Sequence, residues 1–92
     1  MAAHYAVLLA PAARRDLATL PKDVQRRVTA RPATLAQDPR PAGSRELAGT
    51  DFYRIRVGGY RAIYRVDDEV LTVTGVRIGH RGHRVYDHLD VL

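Results

Sequence analysis

Apolar and polar residues alternate most regularly around one pair of glycines. Tyr53, Ile55 and Val57 lead into Gly58–Gly59, Tyr60, Ala62 and Tyr64 lead out of it, and Arg54, Arg56, Arg61 and Arg65 occupy positions between. A period of two belongs to a strand, and a two-glycine loop supplies the positive φ that a primed hairpin turn requires. The pattern predicts a hairpin over 53–66 in which Val57 faces Tyr60, Arg56 faces Arg61 and Ile55 faces Ala62. One face is then apolar and the other carries the four arginines. Arg56 and Arg61, directly opposed, repel each other and weaken the hairpin, which points to a bound anion.

The N-terminal third changes period. His4 to Ala10 alternates Tyr5, Val7 and Leu9, with apolar residues between them too, and predicts a strand covered on both sides. Pro11 suits the first turn of a helix, and Ala13, Leu17 and Leu20 recur at helical spacing with Arg14, Arg15 and Asp16 left outside. After Pro21 and Asp23, the residues Val24, Val28 and Leu35 mark a second helix running to about Gln37. Pro32 lies inside it. Proline removes a backbone donor and clashes with the preceding turn, at about 3 kcal/mol, so a kink or break is expected near Ala30–Arg31.

Residues 38–51 hold Pro39, Pro41, Gly43 and Gly49 and read as a surface loop anchored by Leu47. Beyond the hairpin, Asp67-Asp68-Glu69 supplies a second turn. A two-residue loop there pairs Val66 with Leu71 and Tyr64 with Val73, and Val70 to Ile78 forms the last strand before Gly79 releases the chain. The expected fold is α+β: an N-terminal strand, a helical hairpin and a three-stranded antiparallel meander, making a small four-stranded sheet with helices on one face. Ninety-two residues are expected to form one domain, 1–92.

Charge sharpens the picture of the arginine face. The formal net charge is +5, and of the fifteen Lys and Arg residues only Lys22 is lysine. Guanidinium forks match phosphate oxygens bidentately, so a phosphate-rich or acidic partner is favoured. There is no cysteine, which excludes disulfides and thiolate metal sites. The apolar start, Ala2 to Ala13, lacks the basic n-region of a signal peptide, and no run reaches membrane-spanning length, so a cytoplasmic protein without membrane partners is expected. His80, His83, Asp87 and His88 cluster near the C-terminus without the spacing of a metal-ligand motif; neither metal nor other cofactor is expected.

The order of strand, two helices and meander, with Tyr53-Arg54-Ile55-Arg56, Gly59-Tyr60-Arg61, Ile63-Tyr64 and Gly79-His80-Arg81 followed by Val85-Tyr86, resembles the RelE/ParE superfamily of toxin–antitoxin toxins. Leu17 to Leu20 followed by Pro21, and Asp38-Pro39-Arg40, resemble that family's helical hairpin and its exit. The similarity runs from about Tyr5 to Tyr86. It implies a toxin that cleaves messenger RNA, in many members only in the ribosomal A site, and that is neutralised by a cognate acidic antitoxin, which also sets the oligomeric state. The family's basic positions fall on Arg54 and Arg56, on Arg61 after the turn and on Arg81; its C-terminal tyrosine falls on Tyr86. RelE itself has lysines at the first two positions. Arginine stays protonated, with a pKa above about 12, so charge stabilisation survives the change and proton transfer does not.

RNA cleavage of this kind uses the ribose 2′-OH as nucleophile. Donors from Arg56, Arg61 and Arg81 suit the charge that builds on the phosphate, while Arg54 and Arg65 suit neighbouring phosphates. His80 and His83 carry imidazoles, the side chain best suited to proton transfer. Tyr86, with an ordinary pKa of about 10, either needs its arginine neighbours to lower it or stacks on a base. Two other functions fit the same residues: a ParE-like inhibitor of DNA gyrase without nuclease activity, and a catalytically inactive basic binding module.

Overall fold

The computed structural model describes residues 4–80. Strand β1 (Ala6–Leu9) is followed by helices α1 (Pro11–Ala18), α2 (Lys22–Thr29) and α3 (Arg31–Gln37). Then come the short strand β2 (Arg45–Glu46) and a meander of β3 (Phe52–Val57), β4 (Tyr60–Asp67) and β5 (Thr72–His80). The architecture is α+β, and the sheet has five strands in the order β1-β5-β4-β3-β2. Among the described strands only β1 and β5 run parallel, from Ala6 opposite Thr72 to Leu9 opposite Gly75. From β1 the chain crosses through α1 to α3 to the opposite edge of the sheet, and the meander then returns it so that β5 lies beside β1.

The helices cover one face of the sheet. Ala13, Leu20, Val24 and Val28 pack with Val57 and Ile78, while Leu35 packs with Tyr5, Ile55, Tyr64, Val66 and Val73. Tyr53, Tyr60 and Ala62 close the same core, so the apolar face expected of the hairpin is the buried one. Pro32 interrupts the second helix where expected. Ala30 is at once the C-cap of α2 and the N-cap of α3, at φ −81° and ψ −17°, and Pro32 sits in the first turn of α3. The axis is broken there while the backbone stays in the right-handed region, so Val28 and Leu35 both remain in the core. Among the described residues no helix is long and apolar enough to cross a membrane.

The first hairpin has the register read from the sequence: Val57 opposite Tyr60, Arg56 opposite Arg61, Ile55 opposite Ala62. Gly58 alone of the glycine pair takes positive φ, at +60°, as the first position of a type II′ turn demands. The second turn departs from expectation. Val66 pairs with Val73 and Tyr64 with Gly75, not with Leu71 and Val73, because the connection is four residues long. The Asp67 carboxylate accepts the Glu69 and Val70 N–H groups at 3.0 and 3.2 Å, and Leu71 turns the chain at φ +52°. Val70 and Leu71 thus leave the strand for solvent. Farther along, a bulge between Ile63 and Tyr64 shifts the register by one, and Gly79 lies within β5 opposite Arg61 instead of ending it.

Three further expectations are corrected. Leu8 is 54% exposed, so β1 is covered on one face and not two. The loop at 38–51 contains β2, which pairs Arg45 with Arg54 and Glu46 with Tyr53 and adds a fifth strand to the expected four. Asp16 is not an outward residue. Where β1 stops, α1 runs beside the continuing edge of β5, and the Asp16 carboxylate accepts the Ile78 N–H at 2.8 Å and the Arg77 guanidinium at 2.8 and 3.2 Å. A side chain here does what a missing strand would have done for the ladder.

Candidate nucleic-acid interface

The face of the sheet turned away from the helices carries the arginines. Because side chains alternate along a strand, Arg54 and Arg56 on β3 point opposite to Tyr53, Ile55 and Val57, and Arg61 and Arg65 on β4 point opposite to Tyr60, Ala62 and Tyr64. Two like-charged pairs stand directly across from one another: Arg56 with Arg61, and Arg45 with Arg54. Opposed like charges oppose pairing by an amount of the order that opposite charges favour it, roughly 0.2–1 kcal/mol per pair. Two such pairs on neighbouring strands make a face that an anion would stabilise. Arg65 lies farther along β4, and its Nε is 4.0 Å from an Asp51 carboxylate oxygen.

Below this face a network holds the framework. Arg40 donates through both terminal nitrogens to Asp68, at 3.1 and 2.8 Å, and through Nε to the Tyr53 hydroxyl at 2.7 Å. Its guanidinium also lies over the Tyr53 ring, 5.1 Å from the centroid. The Tyr5 hydroxyl donates to Asp68 at 2.7 Å. Arg40 first, and Tyr5 after it, hold the Asp68 carboxyl below the usual carboxylate range, while the same bond to Asp68 pushes the Tyr5 hydroxyl up. Tyr53 stacks on Tyr64 at 5.8 Å, and Tyr64 donates to the Pro39 carbonyl at 2.8 Å. Burial raises the Tyr64 hydroxyl. The start of β1, the exit from α3, the β4–β5 turn and the inner face of β3 are thereby tied together, which leaves the outer face of β3 rigidly placed.

His80 ends β5 opposite Tyr60, with the two rings edge to face at 5.1 Å between centroids. Directly paired residues share a face, so His80 sits on the Tyr60 side at the rim of the sheet, while Arg61 faces the other way. The structure brings together Arg54, Arg56 and Arg61 and leaves Arg65 toward the far end. Arg81, His83 and Tyr86 lie outside the described residues.

Sequence reasoning missed two arginines. Arg45 joins the face only through the pairing of β2, and Arg31 at the start of α3 donates to the Arg56 carbonyl at 3.4 Å. A two-residue strand carries no periodic signal, and a helix-to-strand-edge contact carries none at all.

Comparison with known proteins settles the family. Residues 7–85 match the family model described as the ParE toxin of the type II toxin–antitoxin system parDE. The chain belongs to the RelE/ParE superfamily of type II toxin–antitoxin toxins. It is 41% identical over 81 residues to the toxin RelG of Mycobacterium tuberculosis, spanning 84% of this chain and 91% of that protein. Among solved structures it resembles a chain of the toxin–antitoxin complex RelBE2 from Mycobacterium tuberculosis, with 32% identity, coverage of 88% of this chain and 95% of that one, and a TM-score of 0.77. It also resembles a variant of the E. coli toxin RelE in the free state, with 26% identity, 90% coverage of both chains and a TM-score of 0.77. This member of the superfamily carries arginine at positions 54 and 56 of β3.

Proposed function

We propose that this toxin is a metal-independent endoribonuclease, an mRNA interferase that acts on messenger RNA at the ribosome and is held in check by a cognate acidic antitoxin. The observation that carries the reading is the opposed pair Arg56 and Arg61 on the β3–β4 hairpin, on the face turned away from α1 to α3. The solved relatives seen in toxin–antitoxin complexes support an antitoxin partner.

In this reading the ribose 2′-oxygen attacks the adjacent phosphorus and the bond from phosphorus to the 5′-oxygen breaks. The products are a 2′,3′-cyclic phosphate and a 5′-hydroxyl. The 2′-OH loses its proton and the departing 5′-oxygen gains one, so the reaction is balanced without an oxidant or a second substrate. Guanidinium donors of Arg56, Arg61 and Arg81 grip the non-bridging oxygens more tightly as negative charge grows on them. Arg54 and Arg65 hold flanking phosphates. Arginine stays protonated near neutrality, so the proton transfers fall to the end of β5 and the segment that follows it, where His80, His83 and Tyr86 are the candidate groups.

The test is to induce the toxin in cells, map message 5′ ends on translating ribosomes and follow plasmid supercoiling. Codon-phased cuts that disappear in Arg61→Ala support the nuclease. Trapped gyrase–DNA complexes without cuts would instead establish the ParE-like reading.

A further inference from the structure

Beside the opposed arginine pairs, the edge of β3 forms a second feature. β2 covers only the first half of β3, since Arg45 pairs with Arg54 and Glu46 with Tyr53. Past that point the edge opens into a concavity lined by Arg31, Arg45, Arg54 and Arg56, with Ala42 and Gly43 from the preceding loop. None of the described residues that line it is acidic. Its arginines come from three separate elements. Arg31 reaches in from the start of α3 to the Arg56 carbonyl, and Arg45 is placed by a loop closed by two bonds from Ser44 to the Pro41 carbonyl, at 3.0 and 2.8 Å. Among the described residues neither Arg45 nor Arg54 makes an ion pair. Four guanidinium groups brought to one concavity from three elements form a ready site for an anion.

Resting on the nuclease reading, we infer that this cradle is an RNA backbone site: it holds a phosphate on one flank of the cleaved linkage, with Arg31 and Arg45 as its dedicated positioning residues. Arg54 and Arg56 stand about 7 Å apart along one face of the strand, so a strand of RNA running over Arg61 and Arg56 continues into the cradle without a turn. The chemistry favours phosphate over an acidic peptide. The donors are rigid planar forks, three of them on or beside strands, and they sit in line with the arginines assigned to the reacting phosphate. Arg31 and Arg45 do not touch the reacting atoms; they fix where the chain of phosphates enters.

The test uses the full chain and a short single-stranded RNA made uncleavable by 2′-O-methylation, with binding followed by fluorescence anisotropy across a salt series. Arg31→Gln and Arg45→Gln should each weaken binding about three- to ten-fold and reduce the slope of log K against log salt by about 0.7, the single-strand value for one lost phosphate contact. In cleavage assays each should raise KM and leave kcat unchanged, whereas Arg61→Ala should lower kcat. Unaltered affinity and salt slope in both variants would overturn the inference even with the wild type cleaving normally. So would variants that lose affinity for an acidic antitoxin peptide while binding RNA as the wild type does. A wild type that binds RNA with the expected slope but cleaves nothing would uphold the cradle and sink the nuclease reading, so the two failures are distinguishable.

Discussion

Arg56 and Arg61 stand directly opposite each other across the β3–β4 hairpin, on the face of the sheet turned away from α1 to α3. Nothing in the packing of the core calls for this. The apolar side chains on the other face, Ile55, Val57, Ala62 and Tyr64, already fix the register, and any pair of polar residues would serve on the open face. The charge pair is therefore expected to matter to function and not to folding. Arg61→Ala should remain folded, while cleavage falls by about 100- to 1,000-fold, the usual effect of removing one preorganised donor. Circular dichroism melting beside the cleavage assay checks both halves.

Asp16 serves the fold. It satisfies the Ile78 N–H where β1 stops short and holds Arg77 at the same time, and both side chains are mostly buried, at 17% and 23% exposed. The bond to Asp16 raises the Arg77 guanidinium, and burial works against that. Asp16→Ala orphans the strand N–H and leaves a guanidinium without its partner, so it should destabilise by about 2–3 kcal/mol. Asp16→Asn keeps an acceptor for Ile78 and should lose less. Urea unfolding of the two variants gives the comparison.

The network of Arg40, Asp68 and Tyr5 predicts a response to acid. The folded-state value of Asp68 lies below its unfolded one, so its contribution is complete above the ordinary carboxylate value of about 3.9 and is lost as pH falls through the folded value. Tyr5 has the opposite sign. Its folded value is raised, so its contribution is complete below about pH 10 and fades as pH rises through the higher folded value. Melting temperatures of Asp68→Asn and wild type should thus converge in strong acid and separate toward neutrality.

Gly58 holds the first turn at φ +60°, and a Cβ there would come within 2.9 Å of Arg27 Nη1. The guanidinium can move aside, but the backbone conformation remains costly for an L-residue. Gly58→Ala should destabilise by about 1–2 kcal/mol and Gly58→Asn by less, since asparagine tolerates that region. Chemical denaturation of both variants tests the order.

Much of this was legible from local pattern. The Tyr53–Val66 hairpin follows from a period of two closed by Gly58–Gly59, and the break at Ala30 follows from Pro32. What escaped was set by contacts between distant segments. The parallel pairing of β1 with β5 depends on the three helices carrying the chain to the far edge of the sheet before the meander returns it. The shape of the second turn depends on the Asp67 carboxylate capping Glu69 and Val70, which makes an exposed turn out of Val70 and Leu71 although both look like strand residues. Asp16 reads as a solvent residue until α1 is laid against β5. The site divides along the same line. Arg54, Arg56 and Arg61 share one hairpin and could be read together, whereas Arg31 and Arg45 join them only through α3 and β2.

The central claim, that the arginine face acts on RNA, is tested most directly by single-turnover cleavage of messenger RNA in the A site of purified, programmed ribosomes, comparing the wild type with Arg61→Ala. A new 5′-hydroxyl end paired with a 2′,3′-cyclic phosphate, formed by the wild type and slowed at least 100-fold in a folded Arg61→Ala protein, is the predicted result. Wild-type protein that leaves the message intact, or Arg61→Ala protein that cuts as fast as the parent, would contradict it.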